Sequence, residues 1–288
     1  MERLIGSAFN DRLSTLVAQE LFGGAGDDQL ESWGVSKLYG GTGDDSYLLR
    51  GAGGEIFENA GEGVEWVQSQ FSYTLSANLE NLLLLGSGFL NGTGNAVANI
   101  VIGNPNDNVL SGLSGADTLT GGAGSDRFQD TAAGLSGDTI TDFGSGDKIV
   151  ITDANLAGFT FSLTGNVLTY TGGSLTLQSV PTGPIVAQAA AGGGVQLSLL
   201  PHDLRDDFNG DRFGDLLFRD SNNSFLLGWL GQSNGGFISN GVLATGFEFP
   251  PEWRIAAMGD YNGDGSDDML LRSDAGWLTN WLGTASGG

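Results

Sequence analysis

Apolar side chains along much of this chain come one at a time and at a fixed interval. Between Gly94 and Gln129 the sequence divides into four consecutive units of nine residues, GNAVANIVI, GNPNDNVLS, GLSGADTLT and GGAGSDRFQ. Their eighth positions hold Val101, Leu110, Leu119 and Phe128, and their sixth hold Asn99, Asn108, Asp117 and Asp126. Upstream, GSAFNDRLS, GGAGDDQLE and GGTGDDSYL start at Gly6, Gly23 and Gly40, a step of 17, with Leu13, Leu30 and Tyr47 at the eighth position and Asp11, Asp28 and Asp45 at the sixth. A period of this kind fixes the architecture before any single element is considered. Each unit predicts a very short strand whose eighth residue points inward, making the core of a narrow roll. Two units make one coil, so residues 18 apart stack, which sets Asp117 over Asn99 and Asp126 over Asn108. The 17-residue step lacks one residue of such a coil. Segments 14–22 and 31–39 also lack the glycine turn, so ligands for a cation are expected along one edge there. Asn81 and Asn91 precede Asn99 by 10 and 8 residues, which predicts a degenerate coil joining the two arrays.

Beyond the second array the pattern changes. The run Ile149–Ile151, entered from a Gly-Asp turn, predicts a buried strand. FTFSLTGNVLTYT and GGSLTLQSV predict further short strands with Gly-Asn and Gly-Gly turns, a β cap over the open end of the roll. FSYTLSANLENLLLL, within 51–90, predicts a linking β stretch in which Leu82–Leu85 serve as core. Pro181–Gly194, rich in proline, alanine and glycine, predicts a linker. The expected division is therefore a first array over 1–50, a linking segment over 51–90, a second array over 91–130, a cap over 131–180, a linker over 181–200 and a separate unit over 201–288.

Composition sharpens this picture. Among 288 residues there are 50 glycines, 34 Asp plus Glu against 11 Lys plus Arg, a formal charge of −23 and no cysteine. So acidic a chain is not expected to bind nucleic acid or anionic membrane surfaces, and no apolar run is long enough for membrane insertion. The absence of cysteine removes disulfides and thiolate metal sites. The N-terminus MERLIGSAFNDRL has no apolar segment of signal-peptide length, so no cleavable export signal is expected there.

The glycines of each unit permit the positive φ of a tight turn and turn backbone carbonyls toward one point. The sixth residue adds a hard side-chain oxygen. Calcium, which takes six to eight oxygens, suits the space between stacked turns. These units resemble the GGxGxDxUx repeat of the RTX (repeats-in-toxin) family, whose parallel β-roll binds calcium. Asn99 and Asn108 carry no charge and Pro105 replaces a turn residue, so those stations are expected to be weaker or vacant. The segment GDTITDFGSGDKIVI, from Gly137, resembles the motif that follows the roll in the serralysin-type C-terminal domain, with Asp138, Asp142 and Asp147 at its acidic positions.

A second repeat follows. Asp207, Asn209, Asp211 and Asp215 occupy positions 1, 3, 5 and 9 of a loop that recurs 53 residues later as Asp260, Asn262, Asp264 and Asp268. Oxygen ligands at those positions suit a calcium loop. Phe218 and Leu271 stand at position twelve, where an EF-hand needs glutamate, so the loops are not EF-hands. They resemble FG-GAP/VCBS repeats, whose units form propeller blades, with Trp229 and Trp281 at equivalent positions. The expected fold class is thus all-β, a parallel β-roll with a β cap plus a small antiparallel region like incomplete propeller blades. Two blades do not close a propeller, and no capping element precedes Gly6, so the chain is expected to be part of a larger protein or to complete itself with another chain.

His202 is the only histidine, which leaves no HExxH helix and no triad with another base, and the chain is not expected to be an enzyme. The resemblance implies a secreted or cell-surface calcium-binding module that folds on binding Ca2+ and leaves the cell by type I secretion. Self-association as a surface adhesin and glycan binding by residues 201–288 are the alternative partner classes.

Overall fold

The computed structural model describes residues 2–16, 19–179, 181 and 184–199, together with six strand backbones between 216 and 281. All the secondary structure described is β, and residues up to Leu199 form one compact unit. As far as Ile151 its strands alternate between two faces and pair in parallel with strands of neighbouring coils. On one face β1 (Glu2–Ile5), β3 (Gln19–Ala25), β5 (Lys37–Thr42) and β7 (Glu55–Phe57) make a four-stranded sheet. It is followed along the axis by β9 (Tyr73–Thr74), β11 (Asn91–Thr93), β13 (Val109–Ser111), β15 (Arg127–Asp130) and β17 (Lys148–Ile151). The opposite face is continuous through β2 (Arg12–Thr15), β4 (Gln29–Ser32), β6 (Ser46–Leu49), β8 (Trp66–Ser69), β10 (Asn81–Leu84), β12 (Ile100–Ile102), β14 (Thr118–Thr120) and β16 (Thr139–Ile140).

The register explains why so few apolar residues suffice. Leu13, Leu30, Tyr47, Val67, Leu82, Val101, Leu119 and Ile140 stand beside one another in consecutive coils. Leu110, Phe128 and Ile149 do the same on the other face. Apart from Leu13, all of these are fully buried, each burial favouring the fold by about 1.5–3 kcal/mol. The eighth position of every repeat unit is therefore a core position.

Two expectations about the chain's layout need correction, and a third is filled in. The 17-residue step is a whole coil, since Arg12 pairs with Gln29 and Gln29 with Ser46; the connection opposite the glycine turn is simply shorter. Residues 51–90, expected as a linking β segment with a degenerate coil, are coils of the same roll with irregular steps: Ser46 pairs with Trp66, Trp66 with Asn81 and Asn81 with Ile100. Residues 181–200 contain a hairpin, β21 (Ile185–Ala189) and β22 (Val195–Leu199), and β22 runs antiparallel along β17. The alanines there hid an alternating strand pattern, and the Gly192–Gly194 run, all at positive φ, is its turn.

A second hairpin closes the other sheet. β18 (Phe161–Thr164), β19 (Val167–Tyr170) and β20 (Gly173–Leu177) are antiparallel to one another, and β20 lies parallel to β16. Gly165, at φ 61°, opens the Gly-Asn turn between β18 and β19. Residues 200–288 form a separate unit. Its described backbone comprises two three-stranded antiparallel sheets, β23 (Leu216–Arg219) with β24 (Leu226–Gly231) and β25 (Phe237–Val242), and β26 (Trp253–Gly259) with β27 (Asp268–Ser273) and β28 (Leu278–Trp281).

Candidate metal centres along the roll

The sixth residue of each repeat precedes a strand, and the stacking of coils aligns these residues into columns at the edges of the roll. In the first array the backbone N–H of Asp11 donates to Asp28 Oδ1 at 2.8 Å, and that of Asp28 to Asp45 Oδ1 at 2.7 Å. In the second, the N–H of Asn99 donates to Asp117 Oδ1 at 2.7 Å and that of Asp117 to Asp138 Oδ1 at 2.9 Å. A parallel column on the other face runs from Asn108 through Asp126 to Asp147, with N–H to Oδ1 distances of 2.8 and 2.9 Å. Each carboxylate thus spends one oxygen on the backbone of the preceding coil, which orients the other.

That other oxygen is the informative one. Oδ2 of Asp28, Asp45, Asp117, Asp126 and Asp138 is buried without a hydrogen-bond partner, and the five residues are at most 2% exposed. Buried polar atoms are nearly always satisfied, and an unpaired buried charge is costly. The glycine that opens each turn leaves the space these oxygens face: a side chain at Gly23 would collide with Asp28 Oδ2 and the Gly40 carbonyl, and one at Gly121 with Asp126 Oδ2. Gly41 itself, at φ 106°, brings its backbone against the Gly24 carbonyl, an approach that a Cβ would prevent.

Burial pushes the carboxyls of Asp45, Asp117 and Asp126 up to about 6 and that of Asp138 up to about 7; Asp28 and Asp147 move in the same direction for the same reason. Neighbouring aspartates add to this, as Asp28 does for Asp45. Asp11, half-buried at the end of its column, moves down, because the N–H and hydroxyl of Ser7 donate to it. An array of buried carboxylates with no cationic partner, facing glycine carbonyls, fits a hard divalent ion. Among the described residues no three acidic or histidine side chains form a cage by themselves, so carbonyls must complete the shell, as calcium allows.

Not every column position has the same chemistry. Asn99 donates its amide to the carbonyls of Leu79 at 3.0 Å and Glu80 at 3.1 Å, and Asn108 to the Leu90 carbonyl and Asn104 Oδ1, both at 2.9 Å. Asn95 and Asn104 cap further carbonyls in the same way. Side-chain N–H groups at these positions thus donate to carbonyls of the preceding coil. Asp142 stands outside both columns and accepts from the N–H groups of Gly121 at 2.9 Å and Gly122 at 2.7 Å, where it covers the last glycine turn. Asp147 has both oxygens engaged, Oδ2 accepting from Gly144.

The first column continues where the repeat motif does not. The N–H groups of Trp66, Asn81 and Ile100 donate to the carbonyls of Asp45, Glu65 and Glu80, so Glu65 and Glu80 hold the sixth-position place in their coils. No glycine nonapeptide marks them; the signal in the sequence is an acidic residue directly before each short strand. Asp207, Asn209, Asp211, Asp215, Asp260, Asn262 and Asp264 lie outside the described residues, as does His202, and Asp268 is described only as backbone at the start of β27.

A parallel β-solenoid with acidic columns along its edges is consistent with an RTX β-roll. The family model for the RTX calcium-binding nonapeptide repeat matches four copies, over residues 20–36 and 93–128, so the chain carries RTX repeats, a structural calcium-binding fold. It is also 38% identical, over 73 residues or 25% of its length, to the endo-1,3-1,4-beta-glycanase ExsH of Rhizobium meliloti (strain 1021). The match spans 14% of that relative's length.

Proposed function

We propose that this chain is a calcium-dependent folding and display module of a secreted protein. The observation that carries this reading is the repeated set of buried, unpartnered Oδ2 atoms of Asp28, Asp45, Asp117, Asp126 and Asp138. Calcium, when bound, supplies the positive charge that these columns lack. The acidic residues and turn carbonyls of this chain hold it, and the oriented Oδ1–amide ladder keeps the free oxygens aimed at the ion positions. With a Kd near ~10⁻⁴ M and external calcium near ~10⁻³ M, each ion contributes roughly 1.4 kcal/mol. Several such terms rival the whole stability of a domain, about 5–15 kcal/mol. At cytosolic calcium that contribution nearly vanishes, which suits export by type I secretion in an unfolded state and folding outside.

The loops at 207–215 and 260–268 are proposed to add calcium sites of FG-GAP/VCBS type to the second unit. The stretch shared with the glycanase is too small a part of that enzyme to bring its activity to this chain, and the present reading is non-catalytic.

Circular dichroism during a calcium titration tests the proposal. The β signal is expected to grow over a transition near ~10⁻⁴ M calcium, and magnesium, which holds its waters and demands a stricter octahedral shell, is not expected to substitute. A β signal that is the same in chelator and in calcium counts against it.

A further inference from the structure

The roll crosses from its first glycine-repeat array to its second through coils with no nonapeptide, and the chemistry of the column changes there. At Gly23 the space beside the turn faces Asp28 Oδ2 and the carbonyl of Gly40, the glycine that opens the next coil. At Gly40 the corresponding space faces Asp45 Oδ2, the Tyr47 hydroxyl and Glu58 Oε1. Glu58, directly after β7, has therefore brought a side-chain oxygen to the place where Gly6 and Gly23 face the backbone carbonyl of the next coil. The turns are stacked as in the repeats, since the N–H of Gly43 donates to the Glu62 carbonyl at 2.8 Å and that of Val64 to Asp44 Oδ1 at 2.9 Å.

We propose that Asp45 and Glu58, with Tyr47 beside them, form a divalent-cation site in the joint of the roll, made without a glycine nonapeptide in the second coil. Asp45 is 1% exposed and its Oδ2 has no partner. Glu58 Oε2 is likewise buried and unpartnered, while Oε1 accepts from the Gly40 N–H at 3.2 Å and from the Tyr47 hydroxyl. Two carboxylates balance a divalent charge, and the converging oxygens suit an ion of calcium's size and hardness. Further along the same joint Glu65, 2% exposed, turns an unpartnered Oε1 toward the space at Gly63, which the Gly43 carbonyl also faces. The site lets the column pass between arrays without a break in its charge compensation. The inference rests on the reading that the aspartate columns hold calcium.

Counting ions on the full chain by non-denaturing mass spectrometry, with calcium alone as the probe, tests it. The Glu58→Gln variant is expected to bind one calcium fewer than the unaltered chain, while its β signal in calcium is kept. Tyr47→Phe, which removes only the hydroxyl that positions Glu58, is expected to weaken one ion at least several-fold with the others unchanged; it also serves if Glu58→Gln does not fold. An unchanged count and unchanged affinities in the folded variants overturn the site. If the unaltered chain itself takes up no calcium, the calcium reading of the whole roll fails, a result distinct from a failure confined to the joint.

Discussion

Replacing Asp117 and Asp126 together by asparagine is expected to have opposite effects in calcium and in chelator. In about 1 mM calcium the variant should lose roughly 3 kcal/mol, two ion terms of ~1.4 kcal/mol each. In chelator it should be more stable than the unaltered chain. The reason lies in the division of labour within each carboxylate. Oδ1 accepts the backbone N–H of Asn99 or Asn108, and an amide oxygen can keep that bond. Oδ2 is buried with nothing to accept from, and an amide nitrogen there removes a buried charge and gains donors for nearby carbonyls. Asn99 and Asn108 already do this one coil away. Urea unfolding of both proteins in both conditions checks the crossing; loss of stability of equal size with and without calcium would mean that these aspartates act only through packing and hydrogen bonds.

The second large effect concerns pH without calcium. Burial raises Asp45, Asp117 and Asp126 to about 6 and Asp138 and Glu58 to about 7, above their unfolded values. Groups raised on folding stabilise the fold fully below the unfolded pKa, and that contribution is lost as pH rises through the folded one. The calcium-free roll should therefore be more stable at pH 5 than at pH 8, by on the order of 3 kcal/mol, because neighbours in a column share protons and their shifts do not add. With calcium the trend reverses, since protons compete for the same oxygens and binding strengthens through the same window. Thermal melts across pH 5–8, with chelator and with calcium, measure both slopes. A calcium-free melting temperature that climbs with pH would contradict the electrostatics described here.

The sequence revealed the parts of this architecture that repeat. Glycine, an acidic residue and one apolar residue at fixed offsets placed Leu30, Tyr47, Val101, Leu110, Leu119 and Phe128 in the core and Asp28, Asp45, Asp117 and Asp126 in columns, because a coil has only those places for them. It concealed what keeps the coil while abandoning the motif. Glu65 and Glu80 hold column positions without the nine-residue motif, and the positive φ of the turn before each is carried by Gly61 and Asn78. The lack of charge at the asparagine positions was legible, but not that their amides donate to carbonyls of the preceding coil. The hairpin at Ile185–Leu199 was masked by alanines, small enough to read as linker and still sufficient to pair with β17.

The most direct measurement is an anomalous difference map from crystals of this chain grown in calcium. The account predicts peaks in line along the roll, between Asp28 Oδ2 and the Gly40 carbonyl and beside Oδ2 of Asp117 and Asp126, with none at the amide of Asn99. Columns whose Oδ2 atoms meet only water or protein donors at saturating calcium would contradict it.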